Sequence, residues 1–155
     1  MGDQGKSEAV LSAPHVLEYP YTRTVGAVIG RFLTGLRERR IEGIKGSDGR
    51  VIVPPTEYDP VTSEALSEFV DVGETGVVTT WAWVSSPRKN HPLDRPFAWA
   101  LIILDGADTA LLHAVTADDE SQIRTGMRVR AHWREQTAGE IQDIAYFEPV
   151  SDGAG

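Results

Sequence analysis

Residues 96–115 read PFAWALIILDGADTALLHAV, and this stretch decides the fold. Phe97–Leu104 is almost continuously apolar, with Ile102 and Ile103 near its middle. Asp105, Gly106 and Asp108 then supply turn chemistry, because glycine takes positive φ without steric cost and aspartate tolerates it. The chain runs back through Ala110–Val115, apolar again, with His113 near the end. A strand that is half exposed alternates polar and apolar residues, whereas one buried on both faces does not. The pattern predicts a hairpin at the core of a small β domain.

Working outward, residues 76–84 (GVVTTWAWV) are rich in β-branched and aromatic side chains and predict a strand. A long polar loop, SSPRKNHPLDR, joins it to the hairpin. Downstream, residues 117–125 are polar, with room for one helical turn. Residues 127–134 (MRVRAHWR) alternate strictly, placing Met127, Val129, Ala131 and Trp133 on one face and Arg128, Arg130, His132 and Arg134 on the other. Residues 141–149 form the last strand. Five strands with a polar break after the third fit the five-stranded Greek-key barrel called the OB-fold, here over residues 72–150.

Ahead of the barrel, Val25, Val28, Ile29, Phe32, Leu33 and Leu36 recur at spacings of three and four, predicting a helix within residues 21–40. Thr24 suits its N-cap, and Arg37, Arg39 and Arg40 suit its C-terminal end. Gly26, Gly30 and Gly35 lie inside it, each costing about 1 kcal/mol relative to alanine. Such a helix needs docking, either on its own domain or on another chain. The second reading makes Val25, Val28, Ile29, Phe32 and Leu36 a partner interface, together with Tyr19 and Tyr21 of the extended arm before the helix. The rest of residues 1–20, and residues 151–155, read as polar tails. Residues 41–53 (IEGIKGSDGRVIV) predict a short hairpin turning at Ser47, Asp48 and Gly49 and ended by Pro54 and Pro55. Residues 56–71 read as an irregular acidic connection, with a short helical turn near Ala65 and Leu66.

Composition narrows the function. The chain of 155 residues has a net charge of −8 and no cysteine. Disulfides, thiolate metal sites and a cysteine nucleophile are thereby excluded together. The negative charge speaks against broad nucleic-acid binding, which needs a positive field. No apolar run approaches the roughly 20 residues that span a bilayer, and no basic-then-apolar leader is visible, so a cytoplasmic protein without a membrane partner is expected. No catalytic triad, phosphate loop or zinc-protease motif is present. The four histidines have no metal spacing, and His113, on an apolar strand, reads as structural.

Three groups merit a functional reading. The loop carries Arg88, Lys89, His91 and Arg95, which either neutralise a phosphorylated ligand or simply face solvent. The stripe of Arg128, Arg130, His132 and Arg134 offers an anion site, but arginines paired to nearby acids on a solvated face are the stronger reading. Trp81, Trp83 and Trp99 lack the flanking cations of a base-stacking platform and read as core or as surface covered by a partner. An OB-fold nucleic-acid-binding module is the alternative class; a stand-alone enzyme using His91 or His113 is a third.

Residues 19–149 resemble the acyl-CoA-associated OB-fold proteins, the family called domain of unknown function thirty-five. The matching pieces are VIGRFLTGLRERRI for a helix, GRVIVPP for the edge of a ribbon and GVVTTWAWV for the first barrel strand. DRPFAWALIILDGADTALLHAV and GMRVRAHW with IAYFEPV complete the barrel. The resemblance implies an N-terminal helix, a rubredoxin-like zinc ribbon and an OB barrel. Relatives with a metal-bearing ribbon carry two C-x-x-C knuckles; the corresponding places here hold Lys45 and Asp48, then Asp59 and Thr62. Those side chains cannot replace four thiolates, so the expectation is a mainly β chain whose ribbon is a degenerate, zinc-free hairpin over residues 41–71, with no metal. Such a hairpin must draw its stability from packing on the barrel or a partner. The resemblance further implies a non-catalytic accessory subunit of a thiolase-like protein of the SCP-x type, in a heterotetramer built on a thiolase dimer. The partner would carry out retro-aldol cleavage or thiolysis in steroid side-chain breakdown. Coenzyme A thioester would be the substrate of the complex, no cofactor would be bound by this chain, and Arg88, Lys89, His91 and Arg95 would face the coenzyme A phosphates.

Overall fold

A computed structural model of the chain describes residues 26–150. Tyr19, Tyr21 and Val25, and the expected tails, lie outside the described residues. The central hairpin forms as the sequence predicts. Strand β5 (Phe97–Leu104) pairs antiparallel with β6 (Leu111–Thr116), in register from Phe97 opposite Thr116 to Ile102 opposite Leu111. The other edge of β5 carries β4 (Thr75–Val84), with a bulge between Val78 and Thr80 that bends the strand. Gly76 is required at this crossing, because a Cβ there would stand 2.5 Å from the Ile103 carbonyl oxygen. Strands β7 (Arg128–Trp133) and β8 (Ile144–Pro149) pair with each other; β7 also pairs with β4, and β8 meets β6 in parallel. The five strands close in the order β4-β5-β6-β8-β7. This is the expected OB-fold barrel. Val78, Ile102, Val129 and Phe147 fill it and are fully buried.

Helix α1 (Gly26–Arg37) buries Val28, Phe32 and Leu36. Phe32 and Leu36 join the same core as Ile41, Val51 and Val53 and the barrel interior. The helix face expected to meet a partner is therefore corrected: Val28, Phe32 and Leu36 are spent on the chain's own core, and Ile29 alone of the described set stays half-buried. The helix also ends earlier than residue 40. Arg39 turns the chain at φ 60°, and its guanidinium donates to the carbonyls of Arg134 and Glu135 at 3.2 and 2.9 Å. The Thr137 hydroxyl donates to the Arg37 carbonyl, so the loop after β7 closes the C-terminal end of α1. At the other end, the Val28 N–H donates to Glu57 at 3.0 Å.

Between helix and barrel lies a three-stranded sheet of order β2-β1-β3, made of β1 (Ile41–Lys45), β2 (Val51–Ile52) and β3 (Phe69–Val72). Strand β3 stands where the sequence reads as irregular, because four residues are too few to show a period. Residues 65–66 are not helical; Ala65 bridges Tyr58 in an extended pair. A buried Glu42 on β1 accepts two bonds from Arg31 at 3.1 and 3.0 Å, and the Arg31 guanidinium lies 4.0 Å over the Phe69 ring. The Arg31 contact holds the Glu42 carboxyl below its usual range, against the opposing effect of burial. The sheet is tied to the barrel through the β5–β6 turn: Val51 N–H donates to Asp108 at 2.8 Å, and Val53 N–H to the Thr109 hydroxyl at 2.8 Å.

The ribbon's turns are joined by one carboxylate. Asp59 is buried and accepts from the N–H groups of Ser47 (2.6 Å), Val61 (2.7 Å) and Thr62 (3.1 Å). These bonds pull its pKa down to about 2. A single anion thus links the turn after β1 to the turn at residues 59–62. Both of its oxygens are engaged by backbone donors.

Candidate functional site

The loop between β4 and β5 is folded onto the barrel wall by its own histidine. Arg88 N–H donates to His91 Nδ1 at 2.8 Å, and His91 N–H donates back to the Arg88 carbonyl at 3.0 Å. The imidazole meets Phe97 and Trp99 edge-on, with ring centres 5.5 and 6.4 Å away. Arg95 donates to the Thr116 hydroxyl at 3.0 Å and lies 5.3 Å over the Tyr146 ring. His91 and Arg95 are thus anchors of the loop. Arg88 and Lys89 are exposed, have no ion pair among the described residues, and line a shallow hollow with Asp94. Of the four expected ligand contacts, only these two are spare cations.

Beneath residues 90–93 opens a cleft of about 640 Å³, floored by Trp99 of β5 and by Leu112 and His113 of β6. Its far wall is Ile141, Ile144 and Tyr146. The cleft exists because β6 and β8 share a single paired position, Val115 with Phe147. Above that point the strands part. Leu112 is 57% exposed and Ile141 42% exposed, although both are large and apolar.

His113 lies at the bottom, 5% exposed, its ring edge-on to Phe147 at 5.4 Å. Nδ1 accepts from the Ala114 N–H at 2.9 Å, while buried Nε2 has no partner at hydrogen-bonding geometry. Burial pushes the imidazole pKa down, opposed by backbone groups of Ile141, Ala114 and Ile144. The ring is therefore neutral near pH 7. With Nδ1 accepting, the proton sits on Nε2.

The wall is held by Asp143, fully buried. It accepts from the N–H groups of Ala138 (2.8 Å), Gly139 (2.7 Å) and Glu140 (3.2 Å), and from Arg134 at 3.0 Å. Sequence reading passes over Asp143 because an aspartate in a polar turn looks like every other surface acid, and it names Asp59 only as a residue standing where a thiolate is missing. Leu112 and Ile141 are missed for the opposite reason: both fall in apolar stretches read as strands, although Ile141 lies in a helical turn, Ile141–Asp143, and the last strand starts at Ile144.

The arginine stripe is paired throughout. Arg128 bonds Asp105 at 2.9 and 2.8 Å, Arg130 and His132 both face Glu148 at 3.8 and 3.7 Å, and Arg134 holds Glu140 and Asp143. His132 stacks on Tyr146 at 4.6 Å. Trp81 and Trp83 pack against the core. Trp83 shares a shallow hollow with Arg88, but Trp81, Trp83 and Trp99 are all half-buried and none stands free as a base-stacking surface. Nor do three His, Cys, Asp or Glu side chains gather as a metal site among the described residues.

Comparison with known proteins bears on this architecture. Residues 69–134 match the family model for the C-terminal OB-fold domain of ChsH2. Among solved structures, a protein of unknown function from the DUF35 family of Sulfolobus solfataricus superposes with a TM-score of 0.60 at 21% identity, covering 85% of this chain and 88% of its own. The Ltp2-ChsH2(DUF35) aldolase superposes with a TM-score of 0.59 at 20% identity, covering 78% of this chain and 93% of the matched one. No curated protein matches the sequence. Residues 69–134 are thus similar to the C-terminal OB-fold domain of ChsH2, in a chain with the overall fold of the DUF35 proteins.

Proposed function

We propose that this chain is a non-catalytic accessory subunit of an aldolase complex. The observation that carries the reading is the match of residues 69–134 to the ChsH2 C-terminal OB-fold domain, whose structural neighbour is part of an Ltp2-ChsH2 aldolase. The described residues support it from the other side. Around the loop between β4 and β5 and the cleft beside it, His91, Arg95, Arg134 and Asp143 are all tied to the fold by hydrogen bonds. In the finer form of the proposal, the partner is a thiolase-like protein of the SCP-x type, two copies of each chain form a heterotetramer, and a coenzyme A thioester from steroid side-chain breakdown is the substrate. Arg88 and Lys89 are the cations placed to meet its phosphates.

With Val28, Phe32 and Leu36 inside, the contact surface moves elsewhere. Tyr58 (62% exposed) and Val61 (71% exposed) stand out on either side of Asp59. Large apolar side chains left in water next to a rigidly bonded turn are what a partner would cover. Co-expression with a thiolase-like protein, followed by size-exclusion chromatography with light scattering, tests the reading. The expected product is a stoichiometric heteromer; a monomer that ignores such proteins would overturn it.

A further inference from the structure

We infer that the outer face of the β4-β5-β6 sheet is a contact surface for a second copy of this chain, two barrels meeting face to face in a weak, symmetric dimer. This goes beyond the accessory role and concerns the chain by itself. The strand registers place Thr80, Leu101 and Leu112 in one row across the three strands, and Ala82, Trp99 and Ala114 in the next. Thr80 and Ala82 are exposed, Leu101 is 38% exposed and Leu112 57%. The alternate residues of β5, Ala98, Ala100 and Ile102, are buried inside the barrel. A sheet with one wet face alternates apolar with polar residues. Yet β4, β5 and β6 contain no Asp, Glu, Lys or Arg, in a chain whose residues are 25% charged. Strand β5 has the composition of a strand covered on both faces and is covered on one. Only the end of the outer face is capped by the loop after β4, where His91 packs on Phe97 and Trp99.

Charge decides what covers the rest. The chain carries a net charge of −8, so two copies can meet closely only where neither presents unpaired acids. On its β7 side the face is bordered by Arg128, opposite Val77, and that charge is already cancelled by Asp105. The result is an apolar centre with a neutralised polar rim, the anatomy of an interface. Of the other large apolar side chains left exposed among the described residues, Ile141 flanks Leu112 across the cleft. Tyr58 and Val61 stand in a segment that also carries Glu57, Asp59, Glu64 and Glu68, which would set acids against an acidic copy. The surface that matches this face in shape and in lack of charge is the same face of a second copy, related by a two-fold axis. Three strands about 4.8 Å apart and about five residues long present roughly 250 Å². That falls well short of the roughly 800 Å² per partner of a stable complex, so the dimer is one that parts on dilution.

Sedimentation velocity of the full chain, from about 5 µM to about 500 µM, tests the inference. The expected result is a monomer at the low end and a sedimentation coefficient that climbs toward the dimer value at the high end. Raising sodium chloride from about 50 mM to about 500 mM should not weaken the association, because salt screens charge contacts and not apolar ones. Leu101→Glu with Leu112→Glu sets carboxylates against their own images and should weaken the association at least about tenfold. Thr80→Lys, at a position already polar and exposed, should do the same and is the variant read if the double one unfolds. Tyr58→Ser with Val61→Asp is the control and should associate as the unaltered chain does. A monomer at every concentration, association that weakens with salt, or association kept by the folded face variants or lost in the control would each overturn the inference.

Discussion

Replacing Asp143 with alanine should loosen one wall of the cleft while leaving the barrel closed. The carboxylate is fully buried and receives three backbone N–H groups within 3.2 Å as well as Arg134. Removing one partner of a buried, hydrogen-bonded charge typically costs about 3–5 kcal/mol. The lower end applies here, at about 3 kcal/mol, because Arg134 keeps Glu140 and water can reach the exposed Ala138 and Glu140. In a chain of this length that corresponds to a fall of roughly 6–12 °C in melting temperature. Asp143→Asn keeps the shape but turns an amide donor toward backbone donors, and should fall between the two. Thermal unfolding followed by circular dichroism gives the global effect. Amide exchange gives the local one, with protection lost first at residues 138–140 and little changed in β5. A melting temperature within about 2 °C of the parent chain, with those amides still protected, would show that Asp143 does not hold this wall.

Phe32→Ala should destabilise the isolated chain by about 3–5 kcal/mol, since Phe32 is only 2% exposed; a urea midpoint unchanged by the substitution would return the helix face to the candidate interfaces. Asp59→Asn should alter the acid limb of stability. Because the folded-state pKa of Asp59 is held down at about 2, its stabilisation is present above the unfolded carboxylate range near 4 and is lost as pH falls through about 2. The variant should therefore be the weaker at pH 7 in urea melts, with the gap closing between about pH 4 and pH 2; a pH-independent gap would sink the idea. Tyr58→Ser with Val61→Asp should leave the melting temperature of the lone chain nearly unchanged, as exposed substitutions usually do, and should abolish co-purification with the thiolase-like partner. Retained co-purification would move the contact surface away from residues 58–61.

The barrel was legible because its signals are local and redundant. The run at Phe97–Leu104, the turn at Asp105 and Gly106 and the alternation after Met127 each point to the same sheet, and the strands follow them closely. Long-range choices were not legible. The period of α1 identifies Phe32 and Leu36 as buried, but nothing in a period says whether a neighbour or a partner does the burying. Strand β3 became a strand through its pairing with β1, which four residues cannot announce. The site was harder still. Its cleft arises from the divergence of β6 and β8, a property of two strands widely separated in sequence. That His113 is buried at the foot of this cleft follows from the same long-range arrangement. The arginine stripe shows the reverse case: the acids that neutralise it, Asp105, Glu140 and Glu148, are plain in the sequence, and the favoured reading of a paired face holds.

If this chain supports chemistry carried out by another protein, carbon–carbon cleavage of a β-hydroxyacyl-CoA should be assayed with the thiolase-like partner alone, this chain alone and the two combined in equal amounts. Turnover should require both chains, rise to a plateau at one chain per partner subunit, and survive His91→Ala and His113→Ala in this chain at a substantial rate. Full activity from the partner alone, or turnover by this chain alone that disappears with either histidine, would overturn the accessory role.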